Sequence, residues 1–100
     1  MSINLSAIVY REDGVWVAHC LELDIVAEGE DAEDATCSLI SLCELQIKVA
    51  LEEGDLKAVF RPAPPEIWKM FWTGTEKKGC KRLRVEAPID RFEARELVLA

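Results

Sequence analysis

The segment from Ala32 to Glu53 constrains the fold most, because it predicts one long helix with an unusually wide apolar surface. Asp31 stands at the expected N-cap, acidic residues follow it in the first turn, and Gly54 is suited to end the helix. At about 100° per residue, the nonpolar side chains together with Gln46 cover an arc of roughly 220°, whereas an ordinary one-sided helix needs somewhat over ~100°. Since one sheet face cannot cover that arc, either a second layer from the C-terminal segment or another subunit must bury the remainder.

Three strands are predicted before this helix. Residues 3–10 alternate between nonpolar and mainly polar positions with a period of two, which is typical of a half-buried strand. Asp13 and Gly14 tolerate positive φ, and residues 15–20 then resume a β-type composition, so the two segments predict a β-hairpin. A short third strand covers residues 25–28 and ends at Gly29.

The segment after the helix predicts a second, short helix and further strands. Residues 55–60 form a connector or a short strand, and Pro65 can be the first residue of the short helix. Strands are expected at residues 83–87 and 92–99, with a bend at residues 88–91 between them. No internal repeat or flexible linker separates these elements.

Together these elements predict a single α+β domain spanning residues 1–100, in which an antiparallel sheet packs on the long helix. Hydrophobic residues make up 50% of the chain and charged residues 31%, so it can bury enough apolar surface to offset its ordering entropy, which excludes intrinsic disorder. Ten residues are uncharged polar ones, with the single histidine included, so few groups are available for catalysis. We therefore expect neither an enzyme active site nor a cofactor.

The charge of the chain argues against nucleic acid as a partner. A net charge of −7 makes non-specific binding to a phosphate backbone unfavourable. Residues 1–60 hold thirteen acids and three bases, and residues 61–100 hold six acids and nine bases, which suggests head-to-tail electrostatic contacts within or between subunits. Neither a secretory leader nor a membrane-spanning apolar run is present, and the four cysteines form no CxxC pair, so we expect a cytoplasmic protein with reduced thiols.

His19 and Cys20 suggest a metal site or a nucleophile, to which Cys37 and Cys43 could contribute. The thiols lack the paired spacing of zinc ligands, and neighbouring strand residues face opposite sides of a sheet. A core position for Cys43 and a surface position for Cys37 are favoured instead. The acids between residues 28 and 34 fit a helix start better than a cation-binding loop, so no metal site is expected.

Two clusters remain as candidate contact surfaces. The first is a basic patch, which could be a solvated strand edge, bind RNA, or meet the acidic half of another subunit or a partner; it consists of Lys77, Lys78, Lys81, Arg82 and Arg84. The second contains the bulky aromatic side chains of the short helix. They cannot all face one core, so some of them are expected at a surface. Combined with helix positions, it gives a candidate oligomer or partner interface of Ile40, Ile47, Leu51, Trp68, Phe71 and Trp72. We therefore expect a homo-oligomer, dimeric or higher.

The order of short motifs over residues 3–53 resembles the N-terminal pattern of HicB-like antitoxins. The motifs that carry the resemblance are GVWVA at 14–18, LEL at 21–23 and VAEGEDAEDA at 26–35. Asp31 stands where the family usually has Thr or Ser, and it can still cap the helix. The later segment PPEIW at 64–68 is also similar to segments of stand-alone members.

The resemblance implies a β-β-β-α-β unit with a partial ribonuclease H-like fold, which is non-catalytic and assembles as a dimer or higher oligomer. In toxin–antitoxin pairs such a domain masks a small RNA-cleaving HicA toxin, so a HicA-like protein is the expected partner. Residues 75–100 predict strands and not the DNA-binding C-terminus of full antitoxins, so operator binding is not expected. Two alternatives stay open: a small hydrolase or ribonuclease that uses an acid cluster and a divalent cation, and an RNA-binding protein that uses residues 77–84.

Overall fold

The computed structural model describes residues 3–73, 76–78 and 89–97, which form five strands, two α-helices and a short 3₁₀ helix. In chain order the elements are β1 (Ile3–Glu12), β2 (Val15–Cys20), β3 (Ile25–Gly29), α1 (Ala32–Glu52), the 3₁₀ helix (Leu56–Val59), α2 (Pro65–Thr73), β4 (Glu76–Lys78) and β5 (Ile89–Glu96). The α+β class is confirmed.

The hairpin of β1 and β2 forms where the sequence predicts it. Asp13 and Gly14 make up the two-residue connection, and both have positive φ, 52° and 79°. Positive φ at both positions is typical of a type I′ turn, whose twist matches the right-handed twist of the two strands. The pairing then runs from Glu12 opposite Val15 to Ala7 opposite Cys20.

The sheet is mixed, although the sequence predicts an antiparallel one. Its strand order is β3-β2-β1-β5-β4, and β5 pairs with β1 in parallel. The other three pairings are antiparallel. Between β3 and β5 the chain passes through α1, α2 and β4, and a connection of that length allows β5 to enter beside β1 in the same direction as β1.

Both ends of α1 follow the local sequence signals. Asp31 adopts an extended backbone, and its Oδ1 accepts a hydrogen bond from the Asp34 N–H at 2.7 Å. At the other end Gly54 has a φ of +70°, and its N–H donates to the Leu51 carbonyl at 3.2 Å. The N–H of the next residue reaches back to the Ala50 carbonyl at 2.9 Å, which completes a Schellman motif.

One face of the sheet packs against α1 and forms the larger core. From β1 this core takes the side chains at alternate positions, Ile3, Leu5, Ala7 and Val9. The helix contributes buried residues spaced four apart, which places them on one face: Ala35, Leu39, Cys43 and Ile47. The prediction that Cys43 is a core residue is therefore confirmed.

The opposite face of the sheet packs against α2 and the segment before it. Ile8 points to this side and forms a second buried cluster with Leu21, Ala63 and Phe71. The Ala63 N–H donates to the Leu21 carbonyl at 2.7 Å and ties this segment to the sheet. The segment that contains α2 therefore covers the face of the sheet opposite α1. It does not form the second layer over α1, which is one of the two ways in which the sequence predicts that the helix could be covered.

Arg95 of β5 holds the end of α2 against the sheet. Its Nη1 donates to the Phe71 carbonyl at 3.2 Å, and its guanidinium carbon lies 4.4 Å from the centroid of the Phe71 ring. The same group lies 5.5 Å from the Trp72 ring. Arg95 thus combines a hydrogen bond to the last turn of the helix with cation–π contacts.

The C-terminal boundaries differ from the predicted ones. Residues 55–60 contain the 3₁₀ helix and no strand. β5 begins at Ile89 and ends at Glu96, so residues 89–91, which were expected in a bend, belong to the strand. The predicted strand at residues 83–87 lies outside the described residues.

Candidate functional site

A row of nonpolar side chains along α1 stays exposed on the surface of the described residues. Leu42, Leu45 and Val49 are spaced three and four residues apart, so they follow one flank of the helix. Their exposed fractions are 39%, 55% and 41%. These three residues are named the α1 stripe below.

The candidate interface that the sequence predicts is only partly on the surface. Ile40, Ile47 and Phe71 are buried within the chain, so their assignment to a partner surface is wrong. Trp68 is half-buried and packs against the second buried cluster, the one that contains Ile8 and Phe71. Leu51 and Trp72 are exposed, Trp72 to 67%, and both stay candidates.

The misplacement of Ile40 and Ile47 and the missed α1 stripe have a common cause. Helical periodicity gives the width of the apolar arc, but the sheet covers only one side of it, the side that contains Ile40 and Ile47. The other side of the arc stays uncovered. It contains Leu42, Val49 and Leu45, which lie at roughly 340°, 320° and 280° when Ala35 is set to 0° and each residue adds about 100°. The sequence therefore does contain a signal for the α1 stripe. Its residues are the nonpolar positions of the helix that lie farthest around the axis from the buried residues spaced four apart.

A groove of about 400 Å³ opens between α1, the start of β3 and the 3₁₀ helix. Its apolar lining includes Leu23, Ile25 and Val59. Polar groups reach it from each side, since Gln46 lies on α1, Asp24 precedes β3, and Arg61 follows the 3₁₀ helix. Gln46 lies four residues after Leu42 and three before Val49, so the groove lies beside the α1 stripe.

His19 and Cys20 occupy opposite faces of the sheet, as expected for neighbours in a strand. His19 is buried on the α2 side, and its Nε2 lies 2.6 Å from Asp24 Oδ1. Asp24 has a φ of +51°, so the turn that presents its carboxylate uses the left-handed region. Cys20 is fully buried in the core with α1, which keeps the thiol and the imidazole apart.

Cys20 and Cys43 form a buried thiol pair beside a partly buried carboxylate. The Cys20 thiol lies 4.0 Å from Glu22 Oε1. The hydrogen bond with Cys20 and burial raise the pKa of the Cys43 thiol far above its usual range. A thiol that stays protonated is a poor nucleophile and a poor metal ligand, so Cys43 is suited to packing.

Burial also raises the pKa of Glu22, although the Ser6 N–H donates to its Oε1 at 2.7 Å and opposes the shift. Because the folded chain then holds the Glu22 proton more tightly than the unfolded chain, the unfolding free energy falls as the pH rises from the usual glutamate range through the raised pKa. We expect Glu22→Gln to flatten this dependence and to stabilise the protein above that range, since glutamine can still accept from Ser6. Urea unfolding at several pH values measures both effects.

Glu22→Ala is the matched control for this prediction. It also removes the titrating group, but it leaves the Ser6 N–H without its acceptor, so we expect it to lower the unfolding free energy. A wild-type protein whose unfolding free energy has the same pH dependence as that of Glu22→Gln would contradict the prediction.

The acidic residues around the start of α1 serve the helix. Asp31 caps it, and Asp34 Oδ2 accepts from the Glu30 N–H at 2.9 Å. Among the residues that the structure describes, no three His, Cys, Asp or Glu side chains are grouped so that they could hold a metal ion.

The predicted basic patch is only partly described. Lys77 and Lys78 belong to β4, where they lie opposite Arg95 and Ala94 of β5. Lys81, Arg82 and Arg84 lie outside the described residues. Among the described strands β4 is an outermost one, so the basic patch begins at that side of the described sheet.

No model of a known protein family matches the chain, and comparisons with curated proteins and with solved structures find no similar protein. The resemblance to HicB-like antitoxins therefore depends on the sequence motifs. None of the helices within the described residues is long and apolar enough to cross a membrane.

Proposed function

We propose that this chain is a non-catalytic, HicB-like module that acts by binding another protein, with a small RNA-cleaving toxin of the HicA type as its partner. The observation that carries the proposal is the α1 stripe, three exposed nonpolar side chains on one flank of a long helix. The motif order over residues 3–53 supplies the kind of partner.

The physical support for a protein partner is the apolar surface that remains exposed. Covering it would contribute roughly 25 cal/mol for each Å² removed from water. The neighbouring groove adds a recess beside the stripe, with Gln46 and Arg61 as polar groups at its sides. A nonpolar row next to such a recess fits a partner that inserts a side chain between α1 and the 3₁₀ helix.

The charge of the chain supports a basic partner. Residues 12–47, which include β2, β3 and most of α1, contain ten acids and neither lysine nor arginine. A protein with a basic surface would be attracted over distances of about a Debye length, ~10 Å at 0.1 M salt. A partner that binds RNA phosphates has such a basic surface. A protein that covers this surface would also block the activity of the partner.

We expect Leu45→Glu to abolish binding of the partner, because a carboxylate in the α1 stripe would have to lose its water against the nonpolar groups that the partner packs there. The measurement is co-purification with a HicA-like protein encoded beside this chain, together with rescue of growth when that protein is expressed. Leu45 is 55% exposed, so the substitution should leave the fold unchanged by circular dichroism.

Val15→Glu is the matched control, since Val15 is an exposed nonpolar residue of β2 that belongs neither to α1 nor to the candidate interface. It should bind and rescue as the wild type does. Wild-type protein that neither binds nor neutralises such a toxin would disprove the antitoxin assignment. RNA cleavage by the purified chain in the presence of magnesium would disprove the non-catalytic one.

A further inference from the structure

β3 is an outermost strand of the described sheet, and the hydrogen bonds of its neighbour show which of its backbone groups point outward. The Leu21 N–H donates to the Ser6 carbonyl at 2.9 Å. Backbone groups alternate in direction along an antiparallel strand, so Leu21 and every second residue before it bond to β1. The residues between them, such as Ala18, bond to β3, where Ala18 lies opposite Ala27.

The same alternation directs the N–H and C=O groups of Val26 and Glu28 away from β2. Their partners in β2, His19 and Val17, point these groups towards β1. Within the described residues no strand pairs with the outer side of β3. Val26 is 51% exposed, Glu28 is also exposed, and β3 contains no proline. This side of β3 can therefore pair with a further strand.

α1 runs antiparallel along β3 and reaches past its outer side. At one end Gly29 lies against Ala35, and at the other Ile25 and Gln46 line the same groove. Gln46 lies at roughly 20° around the helix when Ala35 is set to 0°, between the buried face and the α1 stripe. The α1 stripe follows in the same direction, so it lies over the outer side of β3. A strand added there would pack beneath it.

The surroundings of this edge define the strand that fits it. Residues 24–34, which span β3 and the turns on both sides of it, contain six acids and neither lysine nor arginine. Alternate side chains of an added strand would face the α1 stripe, where nonpolar groups fit. The others would lie beside Val26 and Glu28, where lysine or arginine fits. A second copy of β3 would instead bring acids together, which is destabilising.

We propose that a partner protein adds an amphipathic, basic β-strand to the outer side of β3, beneath the α1 stripe. Its backbone pairs with Val26 and Glu28, and its nonpolar side chains cover the part of α1 that the described sheet leaves exposed. The identity of the partner rests on the proposed function, whereas the place of the added strand follows from β3 and α1.

Amide hydrogen exchange followed by NMR tests the edge without the toxin. The probe is a short peptide with blocked ends in which lysine and valine alternate. In the free protein the Val26 and Glu28 amides should exchange rapidly, and the Ala27 amide, which points to β2, should exchange slowly. Saturating peptide should slow exchange at Val26 and Glu28 by about tenfold or more. A peptide with glutamate in place of lysine should leave both rates unchanged.

Val26→Pro removes one outward N–H and should weaken binding of the lysine peptide by about tenfold or more. Edge strands tolerate proline where the N–H faces solvent, so the variant should keep the circular dichroism of the wild type. Val26→Thr is the matched control, because it keeps both the N–H and a β-branched side chain. It should bind the peptide as the wild type does.

Three results would each overturn the proposal: Val26 and Glu28 amides that are already protected in the free monomer, a lysine peptide that leaves them unprotected, or unchanged peptide binding by Val26→Pro. A wild type that sediments as a dimer with these amides protected would also overturn it, because a second copy would then occupy the edge.

The toxin test separates this proposal from the proposed function. A HicA-like protein that co-purifies equally well with Val26→Pro and with the wild type would overturn strand addition and support the proposed function. A wild type that binds the lysine peptide through Val26 and Glu28 but binds no HicA-like protein would support the strand-accepting edge and disprove the antitoxin assignment.

Discussion

Replacement of Gly29 by alanine is expected to lower the unfolding free energy by about 3 kcal/mol or more, a large share of the ~5–15 kcal/mol that stabilises a typical domain. A β-carbon at Gly29 would lie 2.3 Å from the Ala35 backbone nitrogen and 2.7 Å from its Cα. Both atoms belong to the first turn of α1, so no change of side chain at position 35 can relieve the overlap. The helix would have to move away from the end of β3.

Gly14→Ala is the control that separates this effect from the general cost of losing a glycine. Gly14 has a φ of +79°, but no atom lies within 4 Å of an added β-carbon. Only the left-handed backbone is then penalised, at about 1–2 kcal/mol. Urea unfolding of both variants measures the difference. Equal losses at the two positions would show that α1 does not pack directly on Gly29.

Local signals in the sequence predict the elements whose geometry depends on neighbouring residues. The hairpin turn needs positive φ at two adjacent positions, and Asp13 and Gly14 provide it. The helix needs a side-chain oxygen at its start and a residue that tolerates the left-handed region after its end, and Asp31 and Gly54 provide these. These features depend on a few adjacent residues, so the local sequence is enough to predict them.

The direction of β5 and the layer formed by α2 could not be predicted in the same way. Whether a returning strand runs parallel or antiparallel to β1 depends on the path of the chain between them, which has no local periodicity. The sequence shows that α2 is rich in nonpolar residues, but either face of the sheet could receive them. The structure places them on Ile8 and Leu21, on the side opposite α1.

The same limit explains the candidate surface. An arc of nonpolar positions on α1 predicts that some of them lack cover, and the structure confirms this, but it leaves Leu42, Leu45 and Val49 exposed and buries Ile40 and Ile47. The choice depends on how the helix is rotated over the sheet. The small residues Gly29 and Ala35 let the start of the helix lie close to the end of β3, and no periodicity within the helix reports this contact between two elements.

Two adjacent aromatic residues of α2 provide the second large effect, since Phe71 is 2% exposed and Trp72 is 67% exposed. We expect Phe71→Ala to lower the unfolding free energy by about 3–5 kcal/mol, because it opens a cavity between α2 and the sheet and removes the ring that Arg95 contacts. Trp72→Ala should cost about 1 kcal/mol, the value of its edge-to-face contact with Phe71. Urea unfolding of the two variants gives both numbers.

Phe71→Leu and the dependence of the loss on protein concentration distinguish a core residue from an interface residue at position 71. If Phe71 stabilises the chain itself, Phe71→Leu should recover most of the loss, because leucine refills much of the space between Ile8 and Leu21. The loss should then be independent of protein concentration. If Phe71 lay in a subunit contact, alanine would change the concentration dependence of assembly and leave the unfolding free energy of the monomer nearly unchanged. That second outcome would contradict the placement of α2 on the sheet.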